Sequence, residues 1–212
     1  MALITACVLT FVWQIALPEF EQQRVIYALG VIPAVLFREG ALPASIALVP
    51  AELTLLTSMF LHGGWMHLIG NMLYLWIFGN NIEDVLGIPL FIMFYLLCGI
   101  VAAFSQALPD TASDIPMIGA SGAISGVLGA YLLLYPHARI LVAVPLGFII
   151  TTWRLPAVAV LGFWFVLQLV NNLLSEQSGG GVAWGAHVGG FVAGMVLIVL
   201  LKSRHVRLFR AR

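Results

Sequence analysis

The sequence predicts an all-α integral membrane protein, a bundle of six transmembrane helices. Of its 212 residues, 62% are hydrophobic and only 8% are charged, against roughly 25% charged in an ordinary soluble domain. The apolar residues are gathered in six runs long enough to cross about 30 Å of hydrocarbon. Lipid offers the backbone no hydrogen-bond partner, which favours helices. We therefore expect one transmembrane domain, residues 1–201, followed by a basic cytoplasmic tail, residues 202–212.

Turn-forming residues separate the predicted spans. Gly87 and Pro89 lie between the second and third spans, and Pro136 closes the fourth. The segment LPDTASDIP separates the third span from the fourth, and SEQSGGG separates the fifth from the sixth. The six predicted spans are residues 2–17, 54–79, 88–108, 117–136, 156–174 and 183–201.

Three segments need separate interpretation. The run 2–17 has no basic residue before it and also fits the hydrophobic region of a signal peptide, but we prefer a transmembrane helix because no cleavage site and soluble domain follow. Residues 139–152 are apolar but contain Pro145, so we interpret them as an interfacial loop, with a broken seventh span as the alternative. The loop from Pro18 to Leu53 is expected to rest in the outer interface.

The distribution of charge bears on partners and on orientation. A net charge of zero argues against nucleic-acid binding, which needs clustered cations. With both ends inside, seven of the nine Lys and Arg residues are cytoplasmic, and only Arg24 and Arg38 lie outside. The seven are Arg139, Arg154, Lys202, Arg204, Arg207, Arg210 and Arg212. We expect a multi-pass protein of a bacterial plasma membrane, in contact with lipid.

Polar side chains within the spans are candidate functional residues, because they are costly in a bilayer. His67 and Asn71 are spaced i, i+4 and therefore share one helix face. The alternative is a polar pair that binds neighbouring backbone. His62 falls about 140° from His67 on a helical wheel, so we interpret it as an interfacial or loop-anchoring residue.

Ser121 and His187 lie on helices with stripes of small residues, which usually serve close packing. The stripes consist of Gly122, Gly126 and Gly129 after the serine and Gly190 and Gly194 after the histidine. By itself, Ser121 also fits a packing role. However, both residues follow an outside loop closely, so they are expected at similar depth, and the two smooth faces would bring them together.

A serine beside a histidine favours acyl transfer. Serine is a weak nucleophile until a base removes its proton, and imidazole, with an ordinary pKa near 6.5, can do so at neutral pH. Asn71, the His67 ring and the Ser121 backbone N–H are available donors for an oxyanion. No carboxylate lies within a span to orient His187, so the sequence predicts a dyad.

Cys7 and Cys98 are expected to be free thiols.

Three motifs closely resemble the rhomboid family of intramembrane serine proteases, over about residues 1–201. They are HGGWMHLIGNMLYLWIFG on the second span, GASGAISG on the fourth and AHVGGFVAG on the sixth. The resemblance implies that Ser121 is the nucleophile and His187 the base, with His67 and Asn71 lining the oxyanion site. It also implies cleavage of peptide bonds in or beside transmembrane segments of protein substrates, without a metal or organic cofactor.

The chain departs from the family pattern in two places. Many members carry an aromatic residue four positions after the serine, packed on the histidine, and here that position is Ser125. Several members have a Trp-Arg pair in the first outside loop. The pair here, Trp153 and Arg154, lies before the fifth span and cannot serve the same role.

Depth poses a geometric constraint. If the second span begins near Thr54, His67 lies about 20 Å along it, whereas Ser121 is near the start of its own span. The two meet only if the second helix protrudes and the fourth starts deep. We therefore predict that the loop 109–118 dips into the membrane plane and that a water-filled cavity opens outward above Ser121.

Residues 179–181 are a candidate cap or a plain linker, and the fifth span is a candidate side gate for substrate.

Two other functions fit the sequence less well. A catalytically inactive rhomboid-like protein that binds transmembrane clients would be expected to lack Ser121 or His187, and both are present. A transporter would be expected to show buried carboxylates or repeated halves, and neither is seen. The sequence contains no HExxH zinc motif and no aspartate within a predicted span.

Overall fold

The computed structural model describes residues 1–147, 149–174 and 181–209, and most of these residues are helical. The helices are α1 Ala2–Ala16, α2 Glu19–Leu29, α3 Pro33–Leu36, α4 Ala51–Thr57, a short 3-10 helix Ser58–Phe60, α5 Trp65–Leu86, α6 Ile88–Ala107, α7 Ser121–Leu134, α8 Ala157–Leu174 and α9 Trp184–Leu201. The strands are β1 Arg139–Leu146 and β2 Ile149–Pro156.

Within the described ranges, three helices are long and apolar enough to cross a membrane: α6, α8 and α9. Their bounds lie within a residue of the predicted spans 88–108, 156–174 and 183–201. The first and fourth predicted spans correspond to the shorter helices α1 and α7. The chain is therefore a mostly helical membrane protein, and the count of six spans stays a prediction.

The second predicted span, 54–79, is wrong as one continuous helix. The chain leaves helical geometry after the 3-10 helix and resumes it at Trp65, the start of α5. The side chain of Gln14 on α1 satisfies the buried backbone in the gap. Its Nε2 donates to the carbonyl of His62 at 3.0 Å, and its Oε1 accepts from the His62 N–H at 3.3 Å. Away from water, an unpaired backbone group costs several kcal/mol, and the Gln14 amide removes this cost at the break by supplying the missing hydrogen bonds.

Two segments that the sequence predicts to be loops contain regular structure. The segment 18–53 contains α2 and α3. Residues 139–146 and 149–152 lie in the paired strands β1 and β2 of an antiparallel hairpin, so an irregular loop and a broken seventh span are both wrong. The position of this segment at the membrane interface stays a prediction. Gly147 in its turn has a φ of 63°, a value that favours glycine. Trp153 and Arg154 lie on β2, opposite Val142 and Leu141.

The centre of the bundle is α7, which is buried along almost its whole length and packs closely on α9. The small-residue stripes of the two helices face each other, as the sequence predicts. A Cβ added to Gly190 would collide with the carbonyl of Gly122, one on Gly194 with that of Gly126, and one on Gly129 with that of Phe191. The two backbones approach so closely that only glycine fits at these contacts.

The basic tail folds back on the bundle. The N–H of Phe209 donates to the carbonyl of Leu133 near the end of α7 at 2.8 Å, and Val206 and Leu208 pack against the core. The tail therefore lies at the end of α7 opposite Ser121. Residues 210–212 of the predicted tail lie outside the described residues.

Candidate active site

The four predicted site residues line one cavity of about 720 Å³. His67 and Asn71 reach it from α5, Ser121 from α7 and His187 from α9. The loop 109–118 contributes Asp110, Ser113 and residues 115–118 to the wall. A cavity above Ser121 is thus present, and its filling by water stays a prediction. Gly181 also lines it, whereas residues 179 and 180 of the predicted cap lie outside the described residues.

Ser121 is the first residue of α7, because the four residues before it are held in another geometry. Met117 forms a two-way backbone bridge with Val31, with N···O distances of 3.0 and 2.8 Å. Gly119, at a φ of 124°, donates its N–H to the carbonyl of Ser58 at 2.9 Å. The helix predicted from residue 117 is therefore shorter, and the N–H of Ser121 has no acceptor within the helix.

Ser121 and His187 are in direct contact. The distance from Ser121 Oγ to His187 Nε2 is 2.9 Å, that of a hydrogen bond. The serine is half-buried, and the histidine is 9% exposed. The close packing of α7 on α9 sets this distance, since Gly190 and Gly194 follow His187 along the same contact.

The other edge and the faces of the His187 ring are held by residues that the sequence reasoning missed. Gln168 on α8 places Oε1 at 2.8 Å from His187 Nδ1. Trp164, one turn earlier on α8, lies against the ring with centroids 6.0 Å apart and planes at 33°. Trp184 contacts the ring edge to face at 6.0 Å. Trp164 therefore gives the His187 ring an aromatic contact that Ser125 cannot supply.

A signal for Gln168 was present in the sequence. A glutamine within an apolar span is costly and is a candidate functional residue by default. Its spacing of i, i+4 from Trp164 places both on one helix face. Only the packing of α8 against α9 shows that this face meets His187.

His67 lies in the first turn of α5, which removes the predicted mismatch in depth. The helix α5 begins at Trp65 rather than near residue 54, and both His67 near its start and Ser121 at the start of α7 line the cavity. The N–H of Gly63 donates to His67 Nδ1 at 3.3 Å. The ring proton is then on Nε2, which is free to donate into the site. A Cβ on Gly119 would lie 2.8 Å from this nitrogen, so the edge of the His67 ring lies against Gly119, two residues before Ser121.

Asn71 and His62 occupy different environments beside the same site. Asn71 is 8% exposed, and its Nδ2 has no hydrogen-bond partner among the described residues. A buried amide donor without an acceptor is costly unless a ligand supplies one. His62 precedes α5 rather than lying on it, is fully buried, and contacts the ring of His67 with centroids 5.1 Å apart. Its anchoring by Gln14 agrees with a loop-anchoring residue.

The close fit of Gly119 to His67 gives a testable prediction. In Gly119→Ala, the new Cβ would meet the His67 ring at 2.7 Å while the backbone keeps a φ of 124°. If His67 donates to an oxyanion, as the family resemblance implies, the rate of fluorophosphonate reaction at Ser121 should fall about 10- to 100-fold, because the displaced ring no longer reaches the oxyanion. Gly162→Ala on α8 is the control, since a Cβ there meets nothing within 4 Å among the residues that the structure describes. An unchanged rate in Gly119→Ala would show that the position of His67 does not matter.

Fold and cavity together define a class of protein: a helical membrane protein with a serine and a histidine in contact on two closely packed helices. The Rhomboid domain family model matches residues 51–204, which include all four predicted site residues. The chain belongs to the rhomboid family, which confirms the resemblance of its three motifs.

Individual relatives agree with this membership. Rhomboid protein 1, mitochondrial, of Saccharomyces cerevisiae is 32% identical over 157 residues, covering 70% of this chain and 41% of that protein. RHOMBOID-like protein 5 of Arabidopsis thaliana is 29% identical over 158 residues, covering 71% and 45%. Rhomboid protease GluP of Bacillus subtilis is 32% identical over 140 residues, covering 66% and 24%. The chain spans less than half the length of these three relatives.

Proposed function

We propose that the chain is an intramembrane serine endopeptidase that hydrolyses peptide bonds in or next to substrate transmembrane segments through a Ser121–His187 dyad. The observation that carries the proposal is the 2.9 Å contact between Ser121 Oγ and His187 Nε2 at the wall of a large cavity. Membership of a family in which one relative is named a protease supports it.

The first half of the reaction forms an acyl-enzyme. His187 Nε2 takes the hydroxyl proton of Ser121 while Oγ bonds to the scissile carbonyl carbon, and the carbonyl oxygen becomes an oxyanion. The Nε2 proton then passes to the leaving amine nitrogen as the C–N bond breaks. Three uncharged donors line the same cavity and would stabilise this oxyanion: the amide of Asn71, the Nε2–H of His67 and the backbone N–H of Ser121.

The second half releases the product and restores the enzyme. A water molecule gives a proton to His187 Nε2 as its oxygen attacks the acyl carbon. The proton returns to Ser121 Oγ when the ester bond breaks, which leaves a carboxylic acid on the product, and this acid then loses its proton to water. The cavity of about 720 Å³ is large enough to hold both an unwound substrate segment and this water.

For substrates we propose transmembrane proteins, and for location the plasma membrane of a bacterium, with the cavity facing away from the cytoplasm. Arg139 begins β1, Arg154 lies near the end of β2, and three further cations follow α9, all beyond the end of α7 that lies away from Ser121. The three are Lys202, Arg204 and Arg207. An excess of cations at that end favours its cytoplasmic placement. Substrate would enter from the lipid beside α8, the proposed side gate.

Covalent labelling tests the proposal without knowledge of the substrate. We expect a fluorophosphonate probe to modify the detergent-purified protein at Ser121, as located by mass spectrometry of the digested chain. Unmodified Ser125, on the same helix, is the internal control. A correctly folded protein that a small, fast-reacting probe never labels would instead favour the inactive, client-binding rhomboid-like protein.

A further inference from the structure

The catalytic histidine has a partner on each ring nitrogen. Ser121 Oγ lies 2.9 Å from Nε2, and Gln168 Oε1 lies 2.8 Å from Nδ1. Both distances are those of hydrogen bonds. Gln168 is 6% exposed, so water does not compete for the contact. The carboxylate of a triad is therefore replaced here by a buried, uncharged amide.

The amide determines which ring nitrogen carries the proton. An amide oxygen can only accept a hydrogen bond, so Nδ1 must be the donor. The neutral ring then has its lone pair on Nε2, facing the Ser121 hydroxyl. This is the tautomer that a general base needs, whereas the opposite tautomer would present Nε2–H to the serine and could not remove its proton.

The contact also gains strength during the reaction. When Nε2 takes the serine proton, the ring becomes an imidazolium, and Nδ1–H···Oε1 becomes a hydrogen bond from a charged donor. Such bonds are stronger than neutral ones. An interaction that strengthens as charge develops accelerates the chemical step rather than ground-state binding.

We propose that Gln168 is a positioning residue that fixes His187 in its Nδ1–H tautomer. It extends the dyad into a chain of two hydrogen bonds, from Ser121 to His187 and from His187 to Gln168, without itself taking a proton. The inference rests on the proposed function for its effect on rate, but its effect on the tautomer is independent of activity. Trp164, four residues before Gln168, holds the face of the same ring. One face of α8 thus fixes both the plane and the protonation pattern of His187.

Two substitutions separate a hydrogen-bonding role from a packing role. Gln168→Met keeps the length and volume of the side chain but removes the acceptor. Gln168→Glu keeps an acceptor oxygen at the same place. If the side chain only fills space, methionine should be tolerated and glutamate should not; the inference predicts the reverse order. Asn171→Leu, which removes a half-buried amide three residues further along α8, is the control for loss of an amide from this helix.

The first readout is the reaction of Ser121 with a fluorophosphonate probe, resolved into a probe-binding constant and a maximal rate of bond formation. For Gln168→Met we expect the maximal rate to fall about 10- to 100-fold, with the binding constant within threefold of wild type. Gln168→Glu should keep a maximal rate within about tenfold of wild type. Asn171→Leu should keep both constants within about threefold.

The second readout is the ¹⁵N NMR spectrum of histidine-labelled protein, in which the two tautomers have distinct ring-nitrogen shifts. The chain has five histidines, and the His187→Ala spectrum assigns the relevant signals. We expect the Nδ1–H tautomer in wild type and a gain of the Nε2–H tautomer in Gln168→Met. An unchanged tautomer in Gln168→Met overturns the inference, as does a maximal labelling rate within threefold of wild type. A wild type that never labels would remove the proposed function, while the NMR comparison would still decide the role of Gln168.

Discussion

Ser121→Ala and His187→Ala are each expected to lower cleavage of a fluorescent transmembrane peptide in liposomes by about 10⁴-fold or more. Nucleophile and base act as one unit, so loss of either member removes nearly the whole effect. Both variants should also fail to react with a fluorophosphonate. The measurement is the initial rate of cleavage at matched amounts of folded protein.

A neighbouring serine provides the matched control. Ser125 is buried, and its hydroxyl donates to the carbonyl of Ser121 at 2.7 Å, one turn back on α7. Ser125→Ala removes the same hydroxyl group from the same helix, yet it should cleave within about threefold of wild type. Cleavage that survives in Ser121→Ala would contradict the proposed mechanism. Equal losses in Ser121→Ala and Ser125→Ala would point to damage to α7 rather than to lost chemistry.

Gly194→Val is expected to lower the free energy of unfolding by about 3 kcal/mol and to abolish labelling of Ser121. The added Cβ would collide with the backbone of Gly126, so α7 and α9 must separate. Separation of these helices also breaks the 2.9 Å contact between Ser121 and His187. Thermal unfolding in detergent, followed by circular dichroism, measures the loss of stability.

Gly162→Val on α8 tests whether this loss comes from the close contact or from valine in a membrane helix. In the described part of the chain, a Cβ at Gly162 meets nothing within 4 Å. We therefore expect its unfolding temperature and its rate of labelling to remain close to wild type. If Gly194→Val unfolds at the same temperature as Gly162→Val, α7 and α9 do not depend on the glycine contact.

Much of the fold followed from composition and local pattern. Apolar runs of sufficient length predicted α6, α8 and α9 within a residue at each end, because lipid requires each segment to satisfy its own backbone. The break before α5 was missed because its stability comes from Gln14, which is distant in sequence. The β hairpin was missed because the apolar run with Pro145 gave no strand signal that stood apart from that of a loop.

The candidate site was predicted in part for the same physical reasons. The cost of polar groups in lipid drew attention to His67, Asn71, Ser121 and His187, and the motifs around them predicted their roles. The same cost applies to Gln168, but an uncharged amide is a less familiar partner for a catalytic histidine than a carboxylate. Trp164 carried no signal, since an aromatic residue in an apolar helix is ordinary.

By itself, the sequence determined that this chain is a helical membrane protein, which side chains are too polar for their surroundings, and which family it resembles. These properties depend on each segment and its solvent, so they can be read locally. Only the tertiary structure decided that Ser121 begins α7, that the glycine faces bring its hydroxyl to His187, and that Gln168 meets the other nitrogen of that ring. A hydrogen bond depends on distances within a few tenths of an ångström between distant segments, and the packing of α7, α8 and α9 sets those distances.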